Sequence, residues 1–107
     1  MENIINITDE SFEKAVIKSG KPVLVDFWAS WCMPCRMQGE TIEKVAPTYG
    51  DKILVAKLNV DENEKTAMDF RITSIPTLMI FKDGEMKEKL VGFTDGDELC
   101  ELINKYL

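Results

Sequence analysis

The stretch Pro22-Val23-Leu24-Val25-Asp26-Phe27-Trp28-Ala29-Ser30-Trp31-Cys32-Met33-Pro34-Cys35 decides how the rest of the chain is read. Its run from Pro22 to Ala29 is nearly all apolar and rich in β-branched and aromatic side chains. A short run of that kind predicts a strand buried on both faces. It leads directly into a C-x-x-C pair, and Pro34 suits the first turn of a helix, where no intrahelical N–H bond is lost. Ile42, Val45, Ala46 and Tyr49 then recur at helical spacing. A helix is therefore expected from about Pro34 to Tyr49, closed by Gly50-Asp51.

On the N-terminal side, Asn3 to Ile7 reads as a short strand. Thr8-Asp9-Glu10-Ser11 offers an N-cap for a helix carrying Phe12, Ala15 and Val16, which Ser19-Gly20-Lys21-Pro22 ends. On the C-terminal side, Ile53 to Val60 predicts a strand and Asp61 to Phe70 a short helix. Thr77 to Lys82 and Lys87 to Phe93 read as strands joined at Asp83-Gly84, a hairpin signal. Thr94 is the expected cap of a last helix whose Leu99, Leu102, Ile103 and Tyr106 share one face. The order β-α-β-α-β-α-β-β-α predicts an α/β fold. Its mixed five-stranded sheet would carry four helices over both faces, with parallel crossovers in the first half and a hairpin at the end.

The chain has 107 residues, with no internal repeat, low-complexity tract or linker. One domain over residues 1–107 is expected. The 45% hydrophobic and 30% charged content is that of a globular domain, which excludes disorder and collagen-like structure. There is no histidine, so Ser-His and Cys-His nucleophilic pairs and imidazole metal sites are excluded. Thirteen basic and 19 acidic residues give a net charge of −6, which disfavours nucleic acid and anionic membranes as partners. No apolar run is long enough to span a bilayer. Met1-Glu2-Asn3-Ile4-Ile5-Asn6 lacks the pattern of a signal peptide, so a cytoplasmic location with reduced thiols is expected.

Three cysteines are too few for a disulfide scaffold or a four-thiolate metal site. A zinc site of three thiolates and a carboxylate, recruiting Cys100, stays open as an uncommon alternative to redox chemistry. Placement favours redox. At a helix start the first cysteine, Cys32, meets unpaired backbone N–H groups and the positive end of the helix dipole, which stabilise a thiolate. Cys35 lies one turn inside and is shielded.

The segment from Val25 to Cys35 resembles the active-site segment of the thioredoxin family. Val55-Ala56-Lys57-Leu58-Asn59-Val60-Asp61, Ser74-Ile75-Pro76-Thr77, Phe81-Lys82-Asp83-Gly84 and Val91-Gly92 match the family pattern in the family's order. The resemblance covers essentially the whole chain and implies a thioredoxin-like fold. It also implies a protein thiol–disulfide oxidoreductase that reduces protein disulfides with no cofactor beyond the Cys32–Cys35 disulfide. Cys32 would be the nucleophile and Cys35 the resolving thiol.

Asp26, which by itself could be a solvated aspartate at a strand end, is implied to lie below the pair and exchange a proton with Cys35. Lys57 would modulate it, the alternative being an ordinary surface lysine. Most X–Pro bonds are trans, but the resemblance implies a cis Ile75–Pro76 bond facing the cysteines. It further implies a substrate surface made by Trp31, Met33, Pro34, Ile75, Pro76 and Gly92, where the Ile75 backbone could pair with an extended substrate. Trp28 is expected to pack in the core and Cys100 to be a small buried hydrophobe. The implied partners are disulfide-containing proteins and a thioredoxin reductase as electron donor, with the chain a monomer.

Two positions depart from the pattern. Met33 stands where the family usually has glycine, and Glu40 where a proline usually kinks the helix. Met33 leaves room for a reductant specialised for few partners, or for a binding module that holds a partner through the patch of Met33, Ile75 and Gly92.

Overall fold

The structure is a computed structural model that describes residues 4–107. The start of the first expected strand at Asn3, and the Met1–Asn3 part of the N-terminal reading, lie outside the described residues. Strand β1 covers Ile4–Asn6, β2 Val23–Trp28, β3 Leu54–Asn59, β4 Thr77–Lys82 and β5 Glu85–Val91. Helices are the short segment Glu13–Ile17, α1 (Met33–Tyr49), α2 (Glu64–Asp69) and α3 (Gly96–Asn104). A single 3-10 turn, Gly50–Lys52, follows α1. The element order is the expected one, with ends shifted by a few residues.

The five strands form one sheet in the order β1-β3-β2-β4-β5. β1 and β2 run parallel to β3, and β4 runs antiparallel to both β2 and β5. The continuously apolar β2 thus sits in the centre, where both faces need cover. Its side chains alternate between two cores. Leu24 packs with Ile42, Val45 and Ala46 of α1 and Leu99 and Ile103 of α3. Val23, Val25 and Phe27 pack on the opposite face with Phe12, Val16 and Phe81. There Phe12, Phe70 and Phe81 form an aromatic cluster with ring centroids 5.2 to 5.7 Å apart. Leu99 is fully buried, so its truncation to alanine should cost about 2–5 kcal/mol.

Two caps differ from expectation. The first helical segment is wound as a π-turn, with the Lys18 amide donating to the Glu13 carbonyl at 2.9 Å and no side-chain cap. The Thr8–Ser11 stretch expected to cap it forms a reciprocal box just upstream, the Thr8 amide donating to Ser11 Oγ at 2.9 Å and the Ser11 amide to Thr8 Oγ1 at 3.2 Å. The cap of α3 is Asp95, whose carboxylate accepts from the Glu98 amide at 2.9 Å. Thr94 is buried and bonded elsewhere.

α1 runs without a break through Gly39 and Glu40, and its internal proline is Pro47, near the end. There the ring has no N–H to give the carbonyl four residues back. The hairpin turns at Asp83 and Gly84, both at positive φ (55° and 80°), the backbone that a tight two-residue turn requires. Among the described residues no helix is long and apolar enough to cross a membrane.

Candidate functional site

β2 ends at Trp28, and a short loop carries Trp31 to the N-terminus of α1. Cys32 is the cap residue, in extended conformation, and its sulfur accepts the Cys35 amide at 3.1 Å. An amide that would otherwise be orphaned at the first turn is thereby aimed at sulfur, where it favours negative charge. Cys32 and Cys35 stand at disulfide-bonding distance, with Cα atoms 5.2 Å apart. Both are buried, Cys32 at 7% exposure and Cys35 at 4%. With Ala29 they form a small cluster backed by Trp28, Val60 and Ile75.

The Ile75–Pro76 peptide is cis, and the Ile75 carbonyl oxygen lies 3.8 Å from Cys32 Sγ. Pro76 is buried and Ile75 half-buried, while Met33 and Pro34 are exposed. Pro76 accepts a bond at its carbonyl from the Gly92 amide at 2.9 Å, which ties the β5 end to the cis segment. Gly92 has φ 91°, and a Cβ there would meet nothing within 4 Å. Backbone conformation, not lack of space, is what demands glycine at this position. Trp31 is 69% exposed, yet its indole Nε1 donates to Asp61 Oδ2 at 2.8 Å, which fixes the ring's direction.

Asp26 points from β2 to the α1 side of the sheet, in register with Lys57 of β3 and Leu78 of β4. It is fully buried and neither carboxylate oxygen has a hydrogen-bond partner. Burial pushes its pKa up from 3.8 to about 7, with the Lys57 ammonium pulling the other way. The solvated strand-end alternative is thereby excluded. Lys57 is half-buried, and its ammonium lies 4.6 Å from the centroid of the Trp28 ring, a cation–π contact. Trp28 is correspondingly packed, as expected, though not fully buried. Trp28, Cys35, Gly39, Glu40 and Lys57 line an open groove of about 500 Å³ beside the pair.

Cys100 is half-buried rather than buried, and packs at the edge of the α1–α3 core, in a different cluster from the pair. A three-thiolate zinc site therefore lacks its third ligand. No metal-holding group of three or more Cys, Asp or Glu side chains occurs among the described residues.

Three residues escaped the sequence reading. Gln38 is fully buried in α1, its amide bonded to both backbone groups of Thr94. It stands three residues after Cys35 and four before Ile42, so helical periodicity alone could have put it on the inner face. Asp61 is 30 residues from Trp31, and nothing local signals their bond. Phe93, expected as the end of a strand, lies beyond the end of β5 at Val91 and is 45% exposed beside Gly92.

Comparison with known proteins agrees with this geometry. The family model described as Thioredoxin matches residues 3–105. A Rickettsia bellii protein named Thioredoxin is 50% identical over 99 residues, covering 92% of this chain and 94% of the relative. The Pseudomonas aeruginosa Thioredoxin is 45% identical over 103 residues, 96% and 95% of the two chains. Thioredoxin 1 of Synechococcus elongatus is 46% identical over 101 residues, 94% of each. Relatives of that name and a pair of bonded sulfurs favour disulfide exchange over a module that merely holds a partner.

Proposed function

Because the chain belongs to the thioredoxin family and is a protein thiol–disulfide oxidoreductase, we propose that Cys32 attacks, Cys35 resolves and Asp26 takes the proton of Cys35. The Cys32 thiolate attacks one sulfur of a substrate disulfide and expels the other as a thiolate, leaving a mixed disulfide. Cys35 then gives its proton to Asp26 and attacks Cys32 Sγ. The Cys32–Cys35 disulfide forms and the second substrate thiolate leaves. Two electrons have passed from the dithiol to the substrate, so no further cofactor is required.

The observation that carries this reading is the Cys35 amide 3.1 Å from Cys32 Sγ at the start of α1, with both sulfurs within bonding distance. It supports Cys32 as the charged, outward thiol. Asp26 is supported by its carboxyl being buried without a partner and titrating near neutrality, where a proton can be taken up and returned. The 3.8 Å separation between Cys32 Sγ and the Ile75 oxygen supports an extended substrate lying along Ile75 and Pro76. Trp31, Met33, Pro34 and Gly92 complete the contact surface.

The electron donor in this reading is a thioredoxin reductase and the substrates are disulfide-bearing proteins. Residues 1–107 act as one domain and as a monomer in the reducing cytoplasm. Reduction of insulin disulfides by the dithiol form tests the division of labour. Cys32→Ser should abolish it, and Cys35→Ser should accumulate mixed disulfides. Full insulin reduction by Cys32→Ser would overturn the assignment.

A further inference from the structure

Gln38 is the only glutamine in the chain and one of few fully buried polar residues among the described ones. Its side-chain amide Nε2 donates to the Thr94 carbonyl at 3.0 Å, and its Oε1 accepts the Thr94 amide at 2.8 Å. The two residues are 56 apart in sequence, and Thr94 is itself buried. A side-chain amide thus matches both groups of one peptide residue, as a neighbouring strand would. Each of those backbone groups would otherwise be buried without a partner.

The contact closes a ring. α1 carries Cys35 and, one turn later, Gln38. Gln38 holds Thr94, which follows Gly92 and Phe93 directly. The Gly92 amide holds the Pro76 carbonyl at 2.9 Å, and Ile75, next to Pro76, lies against Cys32 Sγ. Three separate segments of the surface around the reactive sulfur are therefore linked in a loop of hydrogen bonds and covalent chain. Gln38 supplies the hydrogen bonds from the helix of the cysteines to the Gly92–Thr94 segment, which is otherwise joined to that helix only through the packing of α3 on α1.

We propose that Gln38 is a positioning residue for protein substrates: it holds the Gly92–Phe93 segment at a fixed place relative to Cys32, with the exposed Phe93 ring as an apolar contact for the bound polypeptide. This deepens the function proposed above and rests on it. Both hydrogen bonds of the clamp go to the Thr94 backbone and neither to a sulfur, so it governs how a large substrate docks and leaves thiol–disulfide exchange itself alone. A small disulfide that reaches only the sulfur does not need it.

The test compares Gln38→Leu with the wild type on insulin and on a small aromatic disulfide such as 5,5′-dithiobis(2-nitrobenzoate). Leucine keeps the approximate volume and removes both bonds. The expected result is an insulin KM raised roughly 3- to 10-fold with kcat within about twofold, as for loss of positioning contacts. The rate on the small disulfide should stay within about twofold. Phe93→Ala should raise the insulin KM as well, and the double variant should show less than the sum of the two effects. Should Gln38→Leu fail to fold, Gln38→Glu keeps the acceptor for the Thr94 amide, loses the donor, and should raise the same KM.

An unchanged insulin KM in the folded variant would overturn the proposal, and so would equal losses on both disulfides. Additive effects of Gln38→Leu and Phe93→Ala would overturn the role of Phe93. Wild-type protein inert toward both disulfides would instead overturn the proposed mechanism, and the clamp's role with it.

Discussion

Asp26 and Lys57 face each other across the β2–β3 register on the same side of the sheet, yet they make no ion pair. The ammonium lies over the Trp28 ring, 4.6 Å from its centroid, and both Asp26 oxygens are left without a partner. The lysine lowers the carboxyl's pKa, but burial raises it by more, and the net change is a rise. A bound ammonium would have fixed the carboxylate in its charged form and removed it from proton exchange near neutrality.

This arrangement has a cost in stability with a definite sign. The folded-state pKa of about 7 lies above the ordinary 3.8, so between those values the folded chain binds more protons than the unfolded one. Stability should therefore fall as pH rises from about 4 to about 7 and level off above. Asp26→Asn should remove that slope and stabilise the protein at pH 8 by about 2–4 kcal/mol, while slowing resolution of the mixed disulfide. Urea unfolding at pH 5 and pH 8 measures it. A wild-type stability that is flat over that range would contradict the raised pKa.

Removing the lysine should act in the direction opposite to its pull. In Lys57→Met the Asp26 carboxyl should titrate higher. The pH profile of the resolving step should shift upward with it. Carbon-detected NMR titration of the Asp26 carboxyl reads the shift directly, and a downward move would mean that Lys57 acts through packing on Trp28 instead.

Met33 is 66% exposed at the first position of α1, beside the reactive sulfur. Met33→Gly should cost little stability, about 1 kcal/mol or less at a helix terminus. It should alter redox equilibrium with glutathione, the range of protein disulfides accepted, or both. If neither changes, the methionine does not specialise this chain.

The site was more legible in the sequence than its supports. The strand from Val23, the cysteine pair at the head of a helix and the Asp83-Gly84 turn follow from local rules, because a buried strand, a helix start and a tight turn each constrain neighbouring residues. Asp26 could be singled out by its apolar neighbours, although its lack of a partner could not. The misplaced cap shows the limit. Thr94 and Asp95 are both good caps by type; the Asp95 carboxylate takes the Glu98 amide, while the Thr94 backbone is drawn into bonds with the distant Gln38 amide. Likewise the Trp31–Asp61 bond depends on where two loops meet in space. Long-range polar contacts of this sort leave no periodic trace in a sequence.

The central place of β2 has a last consequence, for how the protein loses its activity. That strand pairs with a neighbour on each side along nearly its whole length and lies between two cores. The most protected part of a fold is the last to open, since exchange there requires global unfolding. The loop that bears Cys32 hangs from the end of this strand, and α1 is packed onto it. Under rising denaturant the thiols should keep their reactivity until the cooperative transition itself, with no earlier partial opening that exposes them one at a time. Catalytic competence and foldedness are then a single two-state property, and an assay of one reports the other.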